Sequence, residues 1–176
     1  MKALKALKTR IHGTAPTSAD PWFFPSESKS NVQGFCGTDP ILLVAQRPSF
    51  AEWNENHKHR RALYDGLADL GAGNAHLTDL YKYRGPVGKL CPSLLVDFET
   101  HLGWIREEIA ILNPVCIIAM GDNVYDLLKK RYLRDEMVRK VWHFGALRYH
   151  TIADFQAKLA GEIEFAYQYM REEGFI

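Results

Sequence analysis

The sequence predicts an α/β domain: a three-layer α/β/α arrangement around a small, four-stranded, mainly parallel sheet. Three observations carry this. Short apolar runs without alternation, such as Ile41 to Ala45 and Val115 to Met120, suit strands buried on both faces under helices. Segments with apolar residues at helical spacing separate those runs, and strand–helix alternation is the pattern of a parallel sheet. Each run also stops at polar or turn-forming residues, the first at Gln46-Arg47-Pro48-Ser49, where Pro48 removes a ladder donor.

At 176 residues the chain fits one domain with a real core. Its apolar content of 47% and charged content of 24% are those of an ordinary globular protein. A formal net charge of +1 gives no compositional evidence for a nucleic-acid partner, so any such interface rests on local patches. The three cysteines, Cys36, Cys91 and Cys116, form no CxxC or Cys/His cluster, and no metal or other cofactor is expected. The opening MKALKALKTR is basic but has no long apolar core, and no run approaches the length of a membrane span. A cytoplasmic, reducing setting is the expectation.

Residues 1–40 read as an irregular lead-in wrapping the domain, and residues 41–176 as the domain itself. Met1 to Arg10 suggests a short basic helix or a frayed terminus. Gly13 to Asp39 is rich in Pro and Ser, but Trp22, Phe23, Phe24 and Phe35 tie it to the domain. After the first strand, Ala62, Leu63, Leu67 and Leu70 mark a helix that Gly71 and Gly73 stop. Asn74 to Leu80 reads as the second strand, with Asp79 near its end. Ser93 opens a helix whose stripe is Leu94, Phe98, Leu102, Ile105, Ile109 and Leu112, ended by Asn113-Pro114. Val115 to Met120 is the third strand, and either Asp122 or Asn123 caps the helix after Gly121. Val141 to Phe144 suggests a short fourth strand. Phe155, Leu159, Ile163, Tyr167 and Met170 then stripe the last helix. If all four strands run parallel, Gln46 to Ser49, Thr78-Asp79, Gly121-Asp122 and His143 meet at one edge, where open α/β sheets bind ligands.

In order and spacing, these strand ends resemble the uracil-DNA glycosylase superfamily. Ala45-Gln46-Arg47-Pro48 stands where the family has Gly-x-x-Pro. Thr78-Asp79-Leu80-Tyr81-Lys82 matches Thr-Asn with Lys three residues later, with Asp in place of Asn. Leu112-Asn113-Pro114 precedes a Val-to-Gly121 strand of the family's form, and His143-Phe144-Gly145 stands where the family has His-Pro-Ser. The resemblance spans Ile41 to Leu159. It implies a hydrolase of DNA repair that flips a modified, uracil-like base from the stack and cleaves its N-glycosidic bond. Under it, His143 donates to the leaving base, Gln46 and Ser49 contact base or water, and Asp79 reads the base edge. Phe50 or Trp53 stacks on the ring, and Arg47, Pro48, Thr78 and Lys82 complete the substrate pocket. Lys58, Arg60, Arg61 and Lys82 meet phosphates, while Leu147, Arg148 and Tyr149 form the loop facing DNA.

The departures from the family pattern open a second reading. Gln46-Arg47 lacks the carboxylate many members carry, and a guanidinium is no base. A catalytically silent nucleic-acid or nucleotide-binding module on the same fold fits this and the near-neutral charge, and a third reading is an enzyme of free nucleosides or nucleotides that uses the same cleft without a DNA-facing basic surface. Without the resemblance, His143 reads equally as a structural histidine, Asp79 as a turn cap and Asp122 as an N-cap.

Overall fold

The computed structural model describes residues 1–17, 19–48, 53–54, 56–84, 98–131, 138–146 and 150–176. Its elements, in chain order, are α1 (Lys2–Gly13), β1 (Asp20–Pro21), β2 (Asp39–Ala45), α2 (Lys58–Asp69), β3 (Ala75–Asp79), β4 (Tyr83–Arg84), α3 (Phe98–Leu112), β5 (Cys116–Met120), α4 (Asp122–Arg131), β6 (Val138–Val141) and α5 (Ile152–Glu172). The unbroken apolar run of β2 buries both of its faces. Ile41, Leu43 and Ala45 point into a core with Ala62, Leu63 and Leu67 of α2 and Phe155, Leu159 and Ile163 of α5. Leu42 and Val44 point the other way, against Leu102 and Ile105 of α3 and Val124 and Leu128 of α4. Alternate side chains of one strand thus feed two helical layers, which makes the domain a three-layer α/β/α fold.

The main sheet has the order β3-β2-β5-β6, and all three pairings are parallel. The chain steps outward from β2 to β3 with α2 on one face. It then passes back across β2 to β5 and β6 with α3 and α4 on the other face. Reversing direction and face together keeps one hand for all three crossovers. The reversal places a topological switch point between the carboxyl ends of β2 and β5.

Two sequence expectations are corrected. The fourth strand is Val138–Val141, not Val141 to Phe144, and Phe144–Ala146 is instead a turn of 3-10 helix. Only Val138 and Val141 of β6 are buried, because β6 is an edge strand whose middle residues, Arg139 and Lys140, reach out to Glu162 and Asp122. The N-terminus is a packed helix and not a frayed end. Leu4, Leu7 and Ile11 are buried on one stripe of α1 with Phe23, Phe35 and Tyr83, against Trp104 and Ile111 of α3. Within this stretch β1 pairs antiparallel with β4. Ser93, the expected start of the third helix, lies outside the described residues. No helix among the described residues is long and apolar enough to cross a membrane.

Candidate functional site

Three of the four expected strand ends meet. At the switch point a cleft of about 210 Å³ is lined by Gln46 after β2, by Met120 to Val124 across the β5–α4 turn, and by His143 after β6. The turn is made by Gly121, whose φ of +103° lies in the region glycine favours. A Cβ added there would lie 3.6 Å from that of His143, so the β5 exit runs close beside the residue that follows β6.

The backbone fixes the tautomer of His143. The Gly145 N–H donates to Nδ1 at 3.0 Å, so in the neutral ring the proton sits on Nε2. Burial, with His59 adding repulsion, holds the pKa of His143 below the usual histidine value and keeps the ring neutral. His143 therefore offers the cleft one N–H donor. A Cβ on Gly145 would fall 2.9 Å from Nδ1 and 3.1 Å from Cε1, so Gly145→Ala must push the ring aside. We expect melting to change little, because the ring gives way, while the ring resonances of His143 and any activity that depends on it change. Unaltered His143 resonances in that variant would show that the glycine does not set the ring.

Asp79, at the fourth expected strand end, is not among the residues that line this cleft. It closes β3 in register with Ala45, and the Tyr81 N–H reaches the Gln46 carbonyl at 3.2 Å. Its carboxyl is buried; the Trp22 side chain bonds it, and Oδ2 takes no hydrogen bond from the described residues. Burial, foremost, pushes its pKa up to about 7; Lys82 opposes this and Glu108 adds to it. An unfolded Asp titrates near ~3.9. Between about pH 4 and pH 7 the folded chain keeps a proton that the unfolded chain has lost, so stability falls as pH rises through that window. Asp79→Asn removes the effect: its melting temperature relative to wild type should climb from pH 4 to pH 7 and then level off. A constant difference across the window would mean that Asp79 ionises without penalty.

The other site residues divide by burial. Thr78 and Lys82 are buried. The Lys82 ammonium is held by Glu108 Oε1 at 2.7 Å, by the Asp79 carbonyl at 2.6 Å and by the Thr78 hydroxyl. The expectation that Lys82 meets a phosphate does not fit that position. Glu108 Oε2 also faces His76 Nε2 at 3.3 Å, and the Lys82 N–H donates to Nδ1 of buried His101 at 3.1 Å. Arg60 is buried with its guanidinium 4.6 Å above the Trp53 indole, so the protein's own cation covers one face on which a base was expected to stack. Arg61 pairs with Glu27 at 2.7 Å and with Asp65. Lys58 and Arg47 are exposed and Pro48 is buried. Ser49, Phe50, Leu147, Arg148 and Tyr149 lie outside the described residues.

An aromatic chain joins the Asp79 side to the cleft: Trp22 to Trp53 at 5.7 Å, Trp53 to Phe24 at 6.2 Å, Phe24 to Phe144 at 6.3 Å, and Phe144 stacked on His143 at 4.6 Å. Sequence reasoning missed Glu108 and His76. Glu108 had left a signal, since it interrupts the α3 stripe between Ile105 and Leu112. Among the described residues no group of three or more His, Cys, Asp or Glu side chains is placed to hold a metal ion. Compared with models of known protein families the chain matches none, and among curated proteins it likewise finds no match.

Proposed function

We propose that this protein is a uracil-DNA glycosylase-like hydrolase that cleaves the N-glycosidic bond of a flipped, modified base in DNA. The observation that carries the reading is the fixed donor: a neutral His143 with its proton on Nε2, in a cleft shared with the Gln46 amide at the switch point. In N-glycosidic cleavage the bond's electron pair leaves with the base. A donor already aimed at the base oxygen stabilises that developing charge without reorganising. Gln46 offers both an acceptor and donors, which suits a ring edge or a water. The test is base release from oligonucleotides carrying uracil, hypoxanthine and other altered bases. No release from any of them at high enzyme concentration removes the enzyme claim.

A specific observation also favours an enzyme of free nucleosides or nucleotides, which uses the same cleft without a DNA-facing basic surface. Arg60 and Lys82 are buried and Arg61 is ion-paired, so few of the basic residues expected at phosphates are placed to reach them. Each phosphate neutralised adds about −0.9 to the slope of log affinity against log salt, so we expect a duplex-binding slope no steeper than about −3. A slope near −6, at about the same increment per phosphate, would mean that the buried cations turn outward onto the DNA.

A further inference from the structure

The turn that leaves β2 carries Gln46, which lines the cleft, and the exposed Arg47, and neither an amide nor a guanidinium can take a proton from water. A carboxylate lines the cleft nonetheless. Asp122, the first residue of α4, follows directly on Gly121, and both line the cleft together with His143. The two side chains come from different strand exits, β5 and β6, yet share one cleft, so a single bound nucleoside can meet both. Lys140 on β6 donates from Nζ to Asp122 Oδ1 at 2.7 Å, and Oδ2 takes no hydrogen bond from the described residues. The pair is solvent-exposed, with the Asp122 side chain 81% accessible, so one oxygen is paired with Lys140 while the other stays open to water.

We propose that Asp122 is the carboxylate of the reaction, taking the proton of the attacking water while His143 holds the departing base. This rests on the glycosylase reading and adds a catalytic residue to it. The C1′–N bond breaks and its electron pair leaves on the base. The water oxygen bonds to C1′, and its proton passes to Asp122 Oδ2 and from there to solvent. The base anion is held by the Nε2 proton of His143 and is then protonated by solvent. The sugar is cation-like at the top of the barrier, so an ionised carboxylate beside it also lowers that barrier by charge. Asp122 does have a plainer role open to it, since an acidic residue in the first turn and an ion pair with Lys140 both suit a helix start. That role predicts a small change in melting temperature on substitution and no preference for ligand charge.

The test uses two duplexes, one with a neutral tetrahydrofuran abasic sugar and one with a pyrrolidine analogue that is cationic at the same place. The wild type should bind the cationic duplex about fivefold more tightly, the scale of one charge contact about 4 Å away in water-like surroundings, as suits the exposed Asp122 side chain. In Asp122→Asn that preference should vanish, with affinity for the neutral duplex unchanged, and base release should fall by about 100-fold or more. In Lys140→Met, which removes the competing cation, the preference should grow. A preference kept in Asp122→Asn, or absent from the wild type, overturns the role of Asp122 and leaves the glycosylase reading standing. A wild type that binds neither abasic duplex more tightly than unmodified DNA overturns both.

Discussion

Replacing Glu108 with glutamine should lower the melting temperature by on the order of 10 °C, from a loss of about 3–5 kcal/mol at some 2–4 °C each for a chain of this size. Glu108 and Lys82 are both wholly buried and meet at 2.7 Å. Glutamine keeps the shape but removes the only formal negative charge in contact with the ammonium among the described residues. Lys82 then retains only neutral acceptors, the Thr78 hydroxyl, the Asp79 carbonyl and at best the new amide oxygen, for a full charge out of water. Burial already pulls the Lys82 pKa down, and Glu108 pulls it back up. With Glu108 gone, the folded state binds its proton less well than the unfolded state does, so the variant's stability should rise with pH. Replacing both partners with apolar residues, Lys82→Met with Glu108→Leu, should recover much of the loss, because no orphaned charge remains. A Glu108→Gln protein that melts within about 2 °C of wild type, well under the 2–4 °C that each kcal/mol brings, would show that the pair does not clamp β3 to α3.

That pair also marks what the sequence hid. The apolar runs of β2 and β5 announce a sheet covered on both faces, and the stripes of α2, α3 and α5 announce the cover. The order of the strands is not written there: β5 pairs with β2 and not with the preceding β3, and only this adjacency creates the switch-point cleft. Gln46, Gly121-Asp122 and His143 were legible as strand exits because each follows an apolar run or a turn signal. Asp79 was legible as an exit too, but side-chain alternation sets it on the face of Leu77, toward α2 and Trp22. Leu4, Leu7 and Ile11 were legible as a stripe, obscured by the lysines between them. Arg139 and Lys140 concealed β6, since an edge strand tolerates charges that a central strand excludes. Whether a basic residue faces solvent was beyond the sequence: Lys58 and Arg60 stand two positions apart on α2, one exposed and one beneath the aromatic cluster.

Removing the imidazole tests the chemistry most directly. His143→Ala should slow base release by about 100- to 1,000-fold, the cost of deleting one aimed donor, with little change in melting temperature. The loss should fall on kcat and only weakly on KM. The Nε2 proton faces a nearly neutral oxygen in the bound substrate and a much more negative one as the bond breaks, so its contribution is made mainly at the top of the barrier. The size of the loss should also follow the base. A base with an electron-withdrawing substituent leaves as a more stable anion and needs the donor less, so His143→Ala should cost least there. The fixed tautomer sharpens this expectation, because the Gly145 N–H already occupies Nδ1 and Nε2 is the one nitrogen able to donate in the neutral ring. Rates of base release across a series of substituted uracils, for wild type and variant, decide it. A loss confined to KM, or one independent of the leaving base, would make His143 a binding or structural residue and take from the glycosylase reading the observation it rests on.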